Sequence, residues 1–433
     1  MTHYHIILKL HQPLSEDLAI PDWLEFINDK SRIRESINPK LDHFMDSFGL
    51  KFWLTREYRP AGENWGVEEI REGLNRIYRI ILQQDYAFPD ELIQRIRLVP
   101  GVESAHELKI GEAKLPSRPV AMQTSMAGPK ISELIYLSYA RALTRGSPDI
   151  TIAVLDTGID LEHRELANKI KKRADFVNLQ GLDTTNFVGD IMGYDDMPVD
   201  EVGHGSHVSG IIAARGLQME EGICPDCSLM AVRVLATMKS EGRLVGAGII
   251  DNINTGIKWA VDNGADIINM SLGIKHTGGG LPHEDVIRYA LSKNVTVIAA
   301  SGNDGTAERY YPGALPGVIA VGAVDDSGTV THFTSYGANI TVVAPGQNIY
   351  SCFANNTYAF ASGTSQASPF VSGSVGLMKS YAHEQGRTLT NHEIIHILKN
   401  TSDKVDSRLR NEHAGYGLIN LADGFKLLAH LLN

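Results

Sequence analysis

The apolar and polar positions divide the chain into two regions of different character. From residue 150 onward, short runs of β-branched and small apolar residues recur at 150–155, 229–235, 266–270, 295–299 and 318–321. Runs of this length without polar alternation suit strands buried on both faces. Helical patterns lie between them. Over 249–263, Ile249, Ile250, Ile253, Ile257, Trp259 and Ala260 fall on one face, and Gly264 follows as a stop. A second helix is expected over 284–293. Strands alternating with helices predict an α/β fold, a parallel sheet with helices on both faces and functional residues at the carboxyl ends of its strands.

Residues 1–113 read differently, with many charges and long side chains and few glycines. Strands are expected at 5–10 and 51–57. An amphipathic helix is expected over 67–83, where Ile70, Leu74, Ile77, Ile80 and Ile81 share a face. A shorter helix at 89–98, a Pro100-Gly101 turn and a strand at 103–110 complete a small α+β unit. Pro116, Pro119 and Gly128 interrupt an aperiodic stretch that reads as a linker. The expected division is 1–113, a linker at 114–130, and a larger domain at 131–430.

Composition narrows this picture. A chain of 433 residues suits two domains, and 43% hydrophobic with 21% charged residues is ordinary for a protein with a sizeable core. The formal net charge of -11 argues against a general nucleic-acid binder, which needs a basic surface. No apolar run approaches the roughly 20 residues of a membrane span, and the N-terminus lacks the long apolar stretch of a secretory signal. Three cysteines make no disulfide framework. A cytoplasmic location is the simplest expectation, with signal-independent export left open. Cys224 and Cys227 are expected as reduced thiols, since one CxxC supplies two ligands where a structural zinc takes four, with a local disulfide or a metal as the alternatives.

Four segments carry candidate chemistry. In Gly363-Thr364-Ser365-Gln366-Ala367-Ser368-Pro369, Ser365 opens a helix, where free N–H groups favour negative charge; the same residues also read as a simple N-cap. In Gly203-His204-Gly205-Ser206-His207, two histidines three apart share a helix face but lack the glutamate of an HExxH zinc site. Asp156 follows a five-residue apolar or small run and should end a buried strand, placed either to orient an imidazole or to cap a turn. Asn303, in Ala300-Ser301-Gly302-Asn303-Asp304-Gly305, ends another strand and either donates to an oxyanion or forms a turn.

Each segment is ambiguous alone, but their order is Asp, His, Asn, Ser. VLDTGID, HGSHVSG, AASGNDG and GTSQASPFVSG resemble the motifs of the subtilisin-like serine proteases, with supporting likeness at LMAVRVL, IINMSLG, YPGALPGVIAVGAVD and VVAPGQNIYS. The resemblance covers about residues 130–425 and includes intracellular and maturation-type bacterial members. It implies Ser365 as nucleophile, His204 rather than His207 as base, Asp156 as the residue orienting the imidazole, and Asn303 with the Ser365 N–H as oxyanion hole. It implies a polypeptide substrate lying as an added strand between Gly246-Ala247-Gly248 and Ser271-Leu272-Gly273, with Ser301 and Gly302 beside it.

The resemblance also frames the departures. No cofactor is required, and the family's usual calcium loop is degenerate: Arg215–Glu221 lacks the expected Asn, and Glu165 replaces an Asp, which leaves calcium open only at a different site supported by Glu220 and Glu221. Tyr310 stands near the base of the primary specificity pocket, with Asp304 at its rim, so a small or modest apolar P1 residue is expected. Residues 1–113 resemble a prodomain with an insertion, which implies an intramolecular inhibitor and self-cleavage within 111–130; the alternative is a separate regulatory or substrate-binding domain. The alternatives are a maturation protease dedicated to one peptide or protein, and a silent peptide-binding pseudoprotease.

Overall fold

The computed structural model describes residues 4–433 apart from 16–19, 24, 26–34, 85, 87–88, 109, 114–130, 180–183, 192–193, 241–242 and 277–280. The expected linker thus lies outside the described residues. The N-terminal part is a four-stranded antiparallel sheet in the order β2-β3-β1-β4, formed by β1 (His5–Leu10), β2 (Phe52–Arg56), β3 (Ile77–Leu82) and β4 (Val102–Glu107). Side chains alternate across it. Ile6, Leu8, Ile80 and Leu82 pack beneath Leu41 and Met45 of α1 (Pro39–Ser47) and Leu92 and Ile96 of α3 (Pro89–Ile96). Ile7 and Ile77 face the other way, into a core shared with the larger domain.

The helix expected over 67–83 is not formed. α2 (Val67–Glu72) ends at Gly73, whose φ of 78° is the left-handed conformation of a helix C-cap. One 3-10 turn follows, and Ile77–Leu82 becomes the strand between β1 and β2, with six consecutive buried residues. The β-branched run that looked like a helix face is a strand buried on both sides, and Ile70 is exposed. The strand expected over 103–110 also divides. β4 stays in the N-terminal sheet, whereas β5 (Ile110–Ala113) leaves it to join a second sheet.

The larger part is built on a seven-stranded parallel sheet, ordered β17-β16-β14-β12-β6-β9-β7. Its strands are β6 (Thr151–Asp156), β7 (Ile170–Asp175), β9 (Ser228–Arg233), β12 (Ile267–Met270), β14 (Thr296–Ala300), β16 (Ile319–Val324) and β17 (Ile340–Pro345). Ile152 and Val154 of β6 face one layer, which contains α5 (His204–Ala213), α8 (Thr364–Glu384), α9 (Asn391–Thr401) and α10 (Leu421–Leu432). Ala153 and Leu155 face the opposite layer of α6 (Ile250–Asp262) and α7 (Glu284–Ser292). β6 lies between β9, reached first along the chain, and β12, reached later, so its carboxyl end is a topological switch point. Smaller sheets flank this core. β8 (Phe187–Val188), β10 (Ala236–Ser240) and β11 (Arg243–Ile249) join β5; β13 (Ile274–Lys275) pairs with β15 (Tyr310–Tyr311), and β18 (Ile349–Phe353) with β19 (Thr357–Ala361). α4 (Leu137–Arg141) packs on α10. Among the described residues, no helix is long and apolar enough to cross a membrane.

The two parts share one buried cluster, in which Ile7, Tyr58, Leu74 and Ile77 meet residues of α6 and α7. Lys258 of α6 bonds Glu69 of α2 at 2.6 Å, with both side chains under 5% exposed (4% and 2%). Lys9 reaches Asp285 at 2.9 Å, and Trp23 Nε1–H donates to the Tyr194 hydroxyl at 2.8 Å. Cys224 and Cys227, expected as thiols, form a disulfide buried against Gly146 and Gly376.

Candidate active site

Asp156 ends β6 and is fully buried. Its Oδ1 lies 2.6 Å from His204 Nδ1 and accepts the Thr157 N–H at 2.7 Å. The pair fixes Nδ1 as the protonated nitrogen and leaves Nε2 as a lone pair. That Nε2 is buried and has no hydrogen-bond partner. His204 opens α5, and Asp200 holds the turn before it. Asp200 accepts the Gly203 N–H at 2.7 Å, the Thr157 hydroxyl at 2.8 Å and both the N–H and hydroxyl of Ser206 at 2.8 and 2.7 Å. Burial raises the Asp200 carboxyl above its usual range, partly offset by these bonds. The Thr157 hydroxyl accepts the Gly205 N–H at 3.0 Å, which ties the His204 turn back to the end of β6.

The second histidine of the motif has a different environment. His207 Nε2 lies 3.1 Å from the Ile349 carbonyl and 3.2 Å from that of Ala359, so it donates to both. Burial, then the neighbouring His204, lowers its pKa to about 3. It is a neutral side chain that pins α5 to the β18–β19 hairpin.

Ser365 is the second residue of α8, which packs against α5. Its hydroxyl donates to the Ser271 carbonyl at 3.0 Å, while the Ser271 hydroxyl donates to the Ser365 carbonyl at 2.9 Å. Asn269 of β12 braces this junction, donating to Ser271 at 3.0 Å and accepting from Ser372 at 2.8 Å. Asn303 follows β14. Its Oδ1 accepts the Thr364 N–H at 2.8 Å and the Thr364 hydroxyl at 2.9 Å. Both acceptor positions of the carboxamide oxygen are therefore taken within the protein, which orients the side chain and leaves its NH₂ as donor.

Of the expected substrate edge, Gly246, Ala247 and Gly248 lie on β11 and pair antiparallel with Ala113, Glu112 and Gly111 of β5. A methyl at Gly246 would come within 2.9 Å of the Thr157 side chain, so this end of β11 is the one beside Asp156. β5 therefore runs toward the Asp156–His204 pair as it leaves the N-terminal part. Ser271, Leu272 and Gly273 follow β12, and Ser301 and Gly302 follow β14, with the Ser301 hydroxyl buried and unpartnered. The Tyr310 ring fills the space between Gly273 and Gly302: a methyl at either would press on it. The Tyr310 hydroxyl donates to Asp304, and Lys275 bonds Asp304 at 2.9 Å and also Glu308.

The degenerate calcium loop is occupied by other bonds. Glu165, fully buried, accepts the Leu217 N–H at 2.9 Å, the Gln218 N–H at 2.7 Å and the Tyr358 hydroxyl at 3.1 Å. Hydrogen-bond donors converge there, whereas calcium needs six to eight oxygens. The residues do not fit that ion.

Sequence motifs singled out Asp156, His204, Asn303 and Ser365, but not Asp200, Thr157, Asn269 or Thr364. Asp200 gave the one visible signal, an acidic residue just ahead of a predicted helix.

A model described as the subtilase family matches residues 147–417. The chain belongs to the subtilase family of serine endopeptidases. It is 38% identical over 288 residues to a thermophilic serine proteinase from Bacillus sp. (strain AK1), covering 66% of this chain and 64% of that relative. It is 36% identical to thermitase of Thermoactinomyces vulgaris over 59% of this chain and 81% of thermitase. It is 38% identical to the major intracellular serine protease of Bacillus subtilis (strain 168), over 57% and 73% of the two chains. A solved structure of the prenylagaramide maturation protease PagA is similar at a TM-score of 0.55 and 29% identity, covering 68% of this subtilase and 98% of that chain.

Proposed function

We propose that this protein is made as a self-processing zymogen that hydrolyses peptide bonds through Asp156, His204 and Ser365. The observation that carries this reading is the 2.6 Å bond from Asp156 to His204 Nδ1, which leaves the opposite ring nitrogen unpartnered and able to accept a proton. In the reaction Ser365 Oγ exchanges its bond to the Ser271 carbonyl for one to that nitrogen. Ser365 Oγ then attacks the scissile carbonyl as His204 takes its proton. The oxyanion that forms accepts bonds from the Asn303 NH₂ and the Ser365 N–H. The C–N bond breaks as His204 protonates the leaving amine, and water releases the acyl group by the same steps reversed.

The β5–β11 pairing supports the inhibitory role of residues 1–113, because β5 lies on the glycine edge that a substrate strand would need. β5 also runs in the direction of the Asp156–His204 pair, in line with cleavage inside 111–130. The likeness to a maturation protease supports the narrower reading, that the substrate is a single peptide or protein.

The test is purification of the full chain and its Ser365→Ala variant. The unsubstituted protein should show a new N-terminus within 111–130 and label with a fluorophosphonate at Ser365. The variant should stay full length and unlabelled. Processing of the purified variant in the absence of other proteases would overturn self-cleavage, and labelling that survives the substitution would overturn Ser365 as nucleophile.

A further inference from the structure

Beyond the β11 edge, a cavity of 290 Å³ lies between the N-terminal sheet and the first turns of α6 and α7. Its lining carries five carboxylates and two lysines. Both lysines are already engaged: Lys9 bonds Asp285 at 2.9 Å and Glu103 at 3.3 Å, and Lys275 bonds Asp304 at 2.9 Å. Two further groups in the lining are not satisfied. Asp251, 2% exposed, has no hydrogen-bond partner for its Oδ2. His283, also 2% exposed, bonds Asn254 Oδ1 through Nδ1 at 2.7 Å and has none for Nε2. Because Nδ1–H must donate to the amide oxygen, Nε2 presents a lone pair. Burial lowers the His283 pKa to about 4, which keeps the ring neutral. The cavity thus offers two buried acceptors without a donor, and leaving such groups unpaired is costly.

We propose that Asp251 and His283 form a subsite for a lysine or arginine side chain of the polypeptide substrate, on the N-terminal side of the residues that pair with β11. This rests on the protease reading above. The position follows from chain continuity. Gly246 to Gly248 hold the paired strand, β11 ends at Ile249, and Asp251 comes two residues later in the first turn of α6. A substrate extending past the glycine edge away from the Asp156–His204 pair therefore passes over Asp251. The N-terminal part already places a cationisable group there. His106, four residues before β5, puts its Nε2 3.7 Å from Asp251 Oδ1. When residues 1–113 depart, His106 and Lys9 leave with them, and Asp251, His283, Glu284 and Asp285 remain as an acidic patch with two free acceptors. An ammonium or guanidinium brings the N–H donors and the positive charge that this patch lacks.

The test uses the full chain after it has become active, with two synthetic peptides spanning residues 103–130. One carries His106→Arg and the other His106→Gln. The arginine peptide should be cut with kcat/KM about tenfold higher, the size of one charge-assisted bond. In the Asp251→Asn enzyme this ratio should fall close to one. Equal rates on the two peptides with the unsubstituted enzyme would mean that water alone serves the cavity, and would overturn the subsite while leaving the protease reading intact. A persistent tenfold preference in Asp251→Asn would also overturn it. If neither peptide nor casein is cut, the protease reading fails and the subsite falls with it.

Discussion

His204 and His207 lie three residues apart on one helix, yet their surroundings give them different chemistry. His204 gains a carboxylate on one nitrogen and keeps the other free; His207 is held between two carbonyls and stays neutral down to about pH 3. Its folded value lies below the ordinary 6.5. Above pH 6.5 both folded and unfolded chains hold it neutral, so it contributes nothing to pH dependence. As pH falls from 6.5 toward 3, the unfolded chain takes up a proton that the folded chain refuses. Stability should then drop by about 1.4 kcal/mol per pH unit from this residue. Urea unfolding of the Ser365→Ala protein across that range should show the slope, and His207→Asn should remove roughly one proton's worth of it. Identical slopes would mean that His207 does not carry the effect. At this scale, sequence spacing could not choose between the histidines, and only the motif resemblance did. Thr157 and Asn269 were illegible because their work depends on which groups the folded chain brings to them.

At the scale of elements, most of the parallel sheet was legible, and so were three of the four strands of the N-terminal sheet, β3 being the exception. Strands buried on both faces leave continuous apolar runs, and such runs marked β6, β9, β12, β14 and β16, though not β17. Residues 67–83 show the limit of that signal: Ile70, Leu74, Ile77 and Ile81 fit a helical face, but Gly73 closes the first part and Ile77–Leu82 fits a buried strand equally well. Period alone does not arbitrate a run that short. The edge strand β7 was missed because Ile170–Asp175 carries exposed lysines and an arginine. The β13–β15 ribbon presents Tyr310 between Gly273 and Gly302, where the resemblance expects the P1 pocket, and ties its hydroxyl to Asp304. A filled pocket favours small P1 residues. Peptides with alanine at P1 should be cut faster than those with phenylalanine, and Tyr310→Gly should reverse that order by emptying the pocket. A phenylalanine preference in the unsubstituted enzyme would show that the ring moves aside.

At the scale of the molecule, what matters is how the N-terminal part is held over the β11 edge. Several ion pairs cross the boundary, and they are not equivalent. Arg288–Glu72 and Lys293–Glu68, at 3.0 and 3.3 Å, involve partly exposed side chains, and such pairs contribute about 0–1 kcal/mol. Lys258–Glu69 is buried on both sides, and Glu69 also accepts the N–H groups of Ala61 and Gly66. Removing one partner of a buried pair typically costs about 3–5 kcal/mol, because the other charge is left without compensation. Here Asp262, 2.6 Å from Lys258, would still neutralise it, so the loss should fall below that range but well above that of the surface pairs. In the Ser365→Ala background, Glu69→Gln should speed hydrogen exchange across α2 and β5, whereas Glu68→Gln should not. In the processing-competent protein, the same Glu69→Gln change should shorten the time to activity. Equal behaviour of the two variants would place the hold in the shared apolar cluster of Ile7, Tyr58, Leu74 and Ile77 rather than in the buried charge.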